Sequence, residues 1–264
     1  MKRLLITLCT YNERDNVRLL IPELLETATA ALQSLGIVAD ASTNPAADAG
    51  PVSILVIDDG SPDGTGDCVE ELGREDPRVQ LMQRGSKQGL GTATLAGFEY
   101  AIGQQFDWLL NLDADFSHNP KYIPSLLNAM SDCDVAIASR YVAGGSVGDW
   151  PLSRRLMSKS INVAARLLLG LRTQDNSGSY RCYSVSRLAE IDWTRTIATG
   201  YAFQEEVLYR CRRIGCTFRE CPIVFEERRY GQTKISGKEC ISAGTVLLRL
   251  GWQNLTRQRV ACSP

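Results

Sequence analysis

Short apolar runs alternate with longer amphipathic segments along the chain. The runs are rich in Leu, Ile and Val and end in polar residues, while the segments between them space their apolar residues at helical intervals. This alternation predicts five strands, at residues 3–10, 52–58, 79–85, 106–115 and 135–141. Strands that alternate with helices form a mainly parallel sheet with helices on its faces. We therefore expect an α/β fold with a central, mainly parallel sheet flanked by helices.

The intervening segments have recognisable ends. The first helix is expected to begin at an N-cap on Asn12 and to stop at Gly36, because asparagine caps helix N-termini and glycine commonly follows the last turn. Residues 89–105 predict a further helix. The small-residue segment 40–51 predicts a loop that tolerates insertions.

Residues 151–171 predict an amphipathic helix with a basic character. Arg155, Lys159 and Arg166 fall near one face, and leucine and isoleucine side chains fall elsewhere. This pattern is typical of a helix that lies on an anionic membrane surface. It is also typical of a core helix with a solvated face, and the periodicity leaves both alternatives open.

Composition narrows the class of protein. With 264 residues, 44% hydrophobic and 22% charged, the chain suits one large or two small globular domains, and its formal net charge of −1 argues against nucleic-acid binding. Nine cysteines without a CxxC pair favour buried thiols in a reducing compartment. No signal peptide and no uncharged apolar stretch of membrane-spanning length is recognisable. These features predict a cytoplasmic protein without a membrane anchor of its own.

Polar motifs follow three of the predicted strands. TYNE begins at Thr10, DDGSPDGTG begins at Asp58, and DAD covers residues 113–115. Ligands of open α/β sheets bind beyond the carboxyl ends of the strands, so these motifs predict a binding site at one sheet edge. Asp58 and Asp59 also suit a simple turn before Gly60.

Asp113 and Asp115 are separated by a single residue where a predicted strand ends. In extended backbone both carboxylates point to the same side, and like charges held that close favour a cation between them. Oxygen ligands suit Mg²⁺ or Mn²⁺, and the two acids do not discriminate between these ions. A solvated loop with two chance acids is the alternative for this short motif alone.

A larger set of motifs is more specific than the DAD sequence alone. In chain order it consists of TYNERDN, IDDGSPDGTG, RGSKQGLGTA, NLDADFSH, SRYVAGG and RYGQTK. Together these resemble the family-2 glycosyltransferases of GT-A fold, and more narrowly the dolichol-phosphate (polyprenyl-phosphate) mannose synthases. The resemblance covers about residues 3–237.

This resemblance implies a domain organisation and a reaction. It implies a GT-A domain over residues 1–237, with a nucleotide-binding half at about 1–116 and an acceptor-binding half at about 117–237, then an amphipathic tail at 238–264 without a transmembrane helix. The implied enzyme transfers mannose from GDP-mannose to dolichyl or polyprenyl phosphate with inversion, and depends on Mg²⁺ or Mn²⁺.

The resemblance also implies roles for individual residues. The implied nucleotide-sugar contacts are Thr10, Tyr11, Glu13, Ile57, Asp59, Asp113, Ala114, Arg228 and Lys234, the last two on a loop that closes over the diphosphate. The implied metal ligands are Asp113, Asp115 and, more weakly, Ser117. The implied acceptor-phosphate contacts are Arg140 and Arg154, which with Asp115 form the catalytic set. His118, the single histidine, is expected to have a structural role.

The acceptor chemistry explains why a general base is not needed. A phosphate monoester has a second pKa near 6, so at neutral pH it is largely ionised and already nucleophilic. Three alternatives remain open. They are transfer of glucose from UDP-glucose, transfer to a soluble hydroxyl with Glu205 or Glu206 as base, and an inactive nucleotide-sugar-binding scaffold.

The implied lipid acceptor bears on localisation and partners. We expect peripheral association with a membrane surface, with a small membrane-protein subunit as a further candidate partner. Trp252 and the apolar residues 245–250 are candidates for docking, although packing against the core explains them as well.

Overall fold

The computed structural model describes residues 2–37, 50–226 and 237–261, with side chains from 243 to 256 in the last segment. Residues 40–49 of the predicted loop, and the predicted diphosphate contacts Arg228 and Lys234, lie outside this part of the chain. In the described residues, seven strands form one sheet in the order β3-β2-β1-β4-β6-β5-β7. The strands are β1 Leu4–Thr10, β2 Val52–Asp58, β3 Val79–Gln83, β4 Trp108–Asp113, β5 Val135–Ser139, β6 Arg181–Ser184 and β7 Phe218–Pro222.

Helices cover both faces of this sheet. They are α1 Arg14–Ser34, α2 Thr65–Glu75, α3 Leu90–Gly103, α4 Ile123–Ala129, α5 Leu152–Leu169, α6 Val185–Leu188, α7 Phe203–Arg213 and α8 Gly237–Ala261. Only β6 runs antiparallel to its described neighbours, β4 and β5. The predicted α/β fold with a mainly parallel sheet is confirmed.

Two hydrophobic clusters lie on opposite faces of the sheet, and β1 shows how the sequence supplies both. Leu4, Ile6 and Leu8 belong to the cluster beneath α1, α2 and α4, whereas Leu5 belongs to the cluster beneath α3 and α7. Every residue of β2 is buried. Strands covered on both faces read as continuous apolar runs, which is why these central strands stood out in the sequence.

All five predicted strands exist, β2 with its predicted bounds and the other four shorter, but the predicted N-cap of α1 is wrong. The capping position is held by Glu13, and Asn12 has a positive φ of 59° with its backbone N–H donating to Ser61 Oγ at 2.9 Å. Asparagine tolerates the left-handed region, so it forms the turn before the helix. Gly36, with a φ of 66°, ends the helix as predicted.

The last described helix, α8, packs alongside α5. A Cβ on Gly251 would lie 3.1 Å from Leu168 Cβ, and Asn254 Nδ2 donates to the Leu168 carbonyl at 3.3 Å. The absence of a side chain at Gly251 therefore permits the close approach of the two helices. In the described parts of the chain, no helix combines the length and apolarity that crossing a membrane requires.

Candidate active site

Parallel register brings the polar motifs together at one edge of the sheet. Thr10 pairs with Asp58 across β1 and β2, and Cys9 pairs with Asp113 across β1 and β4. Thr10 Oγ1 donates to Asp58 Oδ1 at 2.9 Å, and Ser61 N donates to Asp58 Oδ2 at 2.9 Å. Asp58 is fully buried and forms the turn, which leaves Asp59 as the acid available for another role.

Asp59 is held by an arginine that the sequence did not single out. Arg84 Nε donates to Asp59 Oδ1 at 2.6 Å, and Arg84 Nη1 donates to Thr92 Oγ1 at 3.0 Å. Both side chains of the ion pair are largely buried, with 8% of Asp59 and 11% of Arg84 exposed. Arg84 directly follows β3, and binding sites of such sheets form beyond the strand ends. Its position in the sequence could therefore have identified it.

Tyr11 and Glu13 frame the same edge beside α1. Lys87 Nζ lies 4.8 Å from the centroid of the Tyr11 ring, a cation–π contact. Glu13 N donates to Thr65 Oγ1 at 3.0 Å, and Glu13 Oε2 accepts from Asn16 Nδ2 at 2.7 Å. Among the other predicted nucleotide contacts, Ile57 and Ala114 are buried in the core.

The acidic motif is ordered by neighbouring polar groups. Asp113 Oδ1 accepts from Ser179 Oγ at 2.7 Å, and 37% of the Asp113 side chain is exposed at the end of β4. Asp115 is buried, and its Oδ1 accepts from both the backbone N (3.0 Å) and the hydroxyl (2.6 Å) of Ser117. The Ser117 hydroxyl thus donates to the carboxylate that it was predicted to join as a metal ligand.

His118 is buried and supports this motif structurally. Its Nδ1 accepts from the backbone N–H of Asp113 at 3.0 Å, which assigns the ring proton to Nε2. The imidazole stacks on Tyr180 with centroids 5.1 Å apart and meets Phe225 edge to face at 5.7 Å. These contacts agree with the structural role expected for the single histidine.

The donor set at Asp113 and Asp115 suits a hard divalent cation. Within the described residues no group of three or more His, Cys, Asp or Glu side chains could enclose a metal ion. Mg²⁺, however, is usually held by one or two carboxylates together with substrate phosphates and waters. The partly exposed carboxylate of Asp113 and the buried carboxylate of Asp115 supply oxygen ligands of the kind that suit Mg²⁺ or Mn²⁺ bound together with a diphosphate.

On the other side of β4, Arg140 is fixed by a buried carboxylate. Arg140 Nε donates to Asp175 Oδ2 and Nη2 donates to Asp175 Oδ1, both at 2.7 Å, and Nη2 also donates to Ser177 Oγ at 3.1 Å. Burial alone would raise the pKa of Asp175, but the Arg140 guanidinium outweighs it and lowers that pKa. Among the described residues, no hydrogen bond uses Arg140 Nη1. Sequence reasoning missed Asp175, which has no motif of its own.

Arg154 joins Arg140 through one aromatic side chain. The Arg154 guanidinium carbon lies 3.8 Å from the centroid of Trp150, and that of Arg140 lies 5.5 Å from it. Trp150 is buried, and within the described residues its Nε1 lacks a hydrogen-bond partner. The structure thus brings the two predicted acceptor arginines together around one indole.

The arginine side and the acidic side of the site are electrostatically linked. Burial would lower the pKa of Arg140, but the negative charges of Asp175 and, to a smaller extent, Asp113 raise it. Arg140 Nη2 donates to Ser177 Oγ at 3.1 Å and Ser179 Oγ donates to Asp113 Oδ1 at 2.7 Å, so one short segment contacts both sides. Nucleotide-side and acceptor-side candidates consequently face a common region at the carboxyl edge of the sheet.

Glu205 and Glu206, the alternative base candidates, have different environments on α7. Glu206 Oε2 accepts from the backbone N of Ala198 at 2.8 Å, and Glu206 Oε1 accepts from Arg210 Nε at 2.9 Å, so this carboxylate organises a loop. Burial raises the pKa of Glu205 to about 7, and its Oε2 has no hydrogen-bond partner in the described structure. The buried environment and the raised pKa of Glu205 are typical of an acid–base group.

Comparisons with known proteins give concordant results. Residues 6–192 match the model of the family described as glycosyl transferase family 2. The chain is 40% identical over 238 residues to polyprenol monophosphomannose synthase of Mycolicibacterium smegmatis, covering 89% of this chain and 82% of that protein. It is 42% identical over 191 residues to undecaprenyl-phosphate mannosyltransferase of Micrococcus luteus, covering 72% and 79%.

A solved structure shares the fold at low sequence identity. Glucosyl-3-phosphoglycerate synthase from Mycobacterium tuberculosis, in complex with Mn²⁺, UDP-glucose and phosphoglyceric acid, superposes with a TM-score of 0.65 at 16% identity. The match covers 95% of this chain and 80% of that one. At this identity the likeness concerns the architecture alone.

Substituting Gly145 should destabilise the loop that carries Arg140. A Cβ at Gly145 would lie 2.6 Å from the Ser139 carbonyl oxygen and 2.9 Å from the Arg140 carbonyl carbon. We expect Gly145→Ala to lower the free energy of unfolding by about 1–3 kcal/mol through this overpacking, measured by urea denaturation. Gly103→Ala is the matched control, because nothing lies within 4 Å of its Cβ position. Equal unfolding free energies for the two variants would contradict the assigned packing.

The buried Glu205 should make stability depend on pH. Its pKa rises from 4.5 to about 7 on folding, so below pH 4.5 both states are protonated and above it the unfolded state ionises first. The wild type should lose up to about 3 kcal/mol of unfolding free energy between pH 4.5 and 7 through this group, and no more above pH 7. Glu205→Gln should therefore gain stability relative to wild type across that window.

Urea denaturation at pH 5 and pH 8 gives the difference in unfolding free energy between Glu205→Gln and wild type. The contributions of the other titrating groups are common to both proteins and cancel in this difference. The exposed Glu71 provides the control, since Glu71→Gln should follow the wild-type pH dependence. Parallel pH profiles for Glu205→Gln and wild type would show that Glu205 ionises normally in the folded protein.

Proposed function

The chain belongs to glycosyltransferase family 2, and on that basis we propose that it transfers mannose from GDP-mannose to the phosphate of a polyprenyl phosphate, with inversion at the anomeric carbon. The observation that carries the proposal is the pair Arg140 and Arg154 around Trp150, with the segment 177–179 linking Arg140 to Asp113 at the end of β4. Two guanidinium groups suit a phosphate acceptor better than a sugar hydroxyl. The names of the two mannosyl-transferring relatives support the same acceptor class and sugar.

The proposed reaction requires positioning more than proton transfer. A phosphate oxygen of the acceptor attacks the anomeric carbon, the bond from that carbon to the donor diphosphate breaks, and the nucleoside diphosphate leaves with the electron pair. Because the acceptor monoester is largely a dianion at neutral pH, no proton has to be removed from the nucleophile. The two arginines hold that oxygen in line with the breaking bond.

Asp175 prepares Arg140 for this task. It engages Nε and Nη2 of the guanidinium, which fixes the plane of the group and directs Nη1 toward other partners. A guanidinium fixed in advance loses little conformational freedom when it binds phosphate. Arg154 lies over the Trp150 ring and would approach the acceptor from the first turn of α5.

The donor is assigned to the half-site formed by residues 1–116, and the acceptor to residues 117–237. Thr10, Tyr11, Glu13, Ile57, Asp59 and Ala114 surround the nucleoside in this proposal, with Arg228 and Lys234 closing over the diphosphate. Asp113 and Asp115 would hold Mg²⁺ or Mn²⁺, with Ser117 orienting Asp115. The ion would offset the negative charge on the leaving diphosphate.

A second candidate function rests on Glu205. A buried carboxyl with a pKa of about 7 is suited to accept a proton from a hydroxyl acceptor. If Glu205 faces the acceptor, transfer to a hydroxyl becomes chemically feasible. For a phosphate acceptor, by contrast, this carboxyl has no proton to remove.

Replacing Arg154, one of the two proposed acceptor arginines, should lower activity toward the prenyl phosphate without weakening binding of the nucleotide sugar. Arg154→Ala removes a charge-assisted contact, and we expect kcat/KM for the prenyl phosphate to fall about 10- to 100-fold with little change in the KM for the nucleotide sugar. Asp175→Asn should act in the same direction through Arg140. The exposed Arg18 on α1 supplies the control, because Arg18→Ala should leave both parameters unchanged. An increase confined to the KM for the nucleotide sugar would instead show that Arg154 contacts the donor.

A transfer assay with purified protein decides between the candidate functions. Radiolabelled GDP-mannose and UDP-glucose are each offered with a water-soluble short-chain prenyl phosphate or the matching prenol, with and without EDTA. Mannose transfer to the phosphate alone, lost in EDTA and unaffected by Glu205→Gln, is the expected result. Label in the prenol that disappears in Glu205→Gln would favour the hydroxyl acceptor, and label from UDP-glucose alone would change the sugar.

A further inference from the structure

The exposed apolar side chains of this protein are concentrated on two adjacent helices. Of the ten large hydrophobic side chains that are exposed in the described residues, five lie on α5 and three on α8. Scattered exposed apolar residues are ordinary in a globular protein, but a contiguous group marks an interaction surface. This distribution singles out the outer side of the α5–α8 pair.

On α5 these residues form a single stripe. Leu152, Leu156, Val163 and Leu167 follow one another at intervals of four, seven and four residues, which places them on one side of a helix. Leu152 and Leu167 are 71% and 78% exposed, at opposite ends of the helix. The stripe therefore runs along the whole helix.

The stripe on α8 continues this surface. Leu248, Trp252 and Leu255 are 64%, 69% and 58% exposed and are spaced by four and three residues. The helices are joined through Gly251 and Leu168, and the buried side chains of both face the core. Both stripes consequently lie on sides of these two packed helices that do not face the core, and we call their residues together the α5–α8 ridge.

Charge identifies the partner that this ridge fits. The sequence of α5 contains four basic and no acidic residues, although the whole chain has a formal net charge of −1. Arg155, Lys159 and Arg166 are exposed and repeat at intervals of four and seven residues along the border of the leucine stripe. The ridge therefore combines an apolar stripe bordered by cations on α5 with an exposed tryptophan on α8. This combination is complementary to the head-group region of an anionic bilayer.

We propose that the α5–α8 ridge inserts shallowly into the surface of an anionic lipid membrane, with its leucines and Trp252 in the interface and its cations against lipid phosphates. The orientation agrees with the site, because α5 begins beside Trp150 and carries Arg154 in its first turn. The ridge thus brings the acceptor arginines to the depth of lipid head groups. This last step rests on the proposed function, whereas the binding of lipid does not.

Vesicle binding by the full chain tests the ridge directly. Co-sedimentation with phosphatidylcholine vesicles, with and without phosphatidylglycerol, should show binding that needs the anionic lipid and weakens as salt is added. Leu167→Glu and Trp252→Ser should each reduce the affinity at least about tenfold, since each removes apolar contact from the interface. Lys159→Glu combined with Arg166→Glu should abolish the preference for phosphatidylglycerol.

Leu19→Glu is the matched control, because Leu19 is 51% exposed on α1, away from the ridge. Its vesicle affinity should equal that of the wild type. All altered residues are exposed, so urea midpoints close to wild type should confirm that the variants fold. Equal vesicle binding by wild type, ridge variants and the Leu19 variant would overturn the proposal.

Two further readouts separate the remaining outcomes. If light scattering finds a dimer without lipid that Leu167→Glu dissociates, the ridge contacts a second copy and the membrane proposal fails. In transfer assays, ridge variants should match wild type on a water-soluble prenyl phosphate and slow down only with a long-chain acceptor in vesicles. A wild type that binds vesicles through the ridge but transfers to neither acceptor would refute the proposed function alone.

Discussion

The parallel register of β1, β2 and β4 is the constraint on which the rest of the site depends. It places Thr10 beside Asp58 and Cys9 beside Asp113, so that loops distant in sequence start from one edge. These strands are buried on both faces, and their side chains alternate between two separately packed clusters. A slip by one residue would exchange the side chains of the two clusters and disrupt the packing of both. Core packing therefore determines where the polar chemistry lies.

That packing supports a second constraint, the buried ion pair of Arg140 and Asp175. A buried charge pair gains little net stability, because both ions lose their hydration, but removing one partner leaves an uncompensated charge. Asp175 itself is held by neighbouring groups, since its backbone N donates to Glu220 Oε1 on β7 at 3.0 Å. The orientation of Arg140 thus depends on β5, β7 and the segment before β6 together.

Sequence patterns predicted those parts of the molecule whose cause is local. The five apolar strands, the acids after β4 and the stop at Gly36 each follow from neighbouring residues. By contrast β6 and β7 were missed, since β6 has only four residues including the buried Arg181, and Arg219 and Glu220 interrupt β7. Arg181 is accommodated by the carbonyls of Asn176 and Gln204, both at 2.7 Å, which no local pattern reveals.

The same distinction applies to the candidate site. Asp113, Asp115 and Arg140 were identified because each belongs to a recognisable motif, and Arg154 because the family resemblance implies it. Arg84, although it opens the motif RGSKQGLGTA, and Asp175 were not identified, since their role is to orient another charge. Their partners lie 25 and 35 residues away in sequence, so only the tertiary structure pairs them. Arg84 and Asp175 make Asp59 and Arg140 members of ion pairs, so these two motif residues are not isolated charges.

Charge is distributed unequally between the two halves of the site, and under the proposed function this asymmetry bears on which substrate each half accepts. The donor edge carries Asp58, Asp59, Asp113 and Asp115, with Arg84 as the cation paired to one of them. In the proposed reaction, a metal ion at Asp113 and Asp115 would offset the repulsion between these carboxylates and the donor diphosphate. The acceptor side contains Arg140 and Arg154 and continues into α5, which has no acidic residue. The Arg140–Asp175 pair has no net charge, so in the proposed reaction the positive charge that attracts the acceptor phosphate comes from Arg154 and the other basic residues of α5.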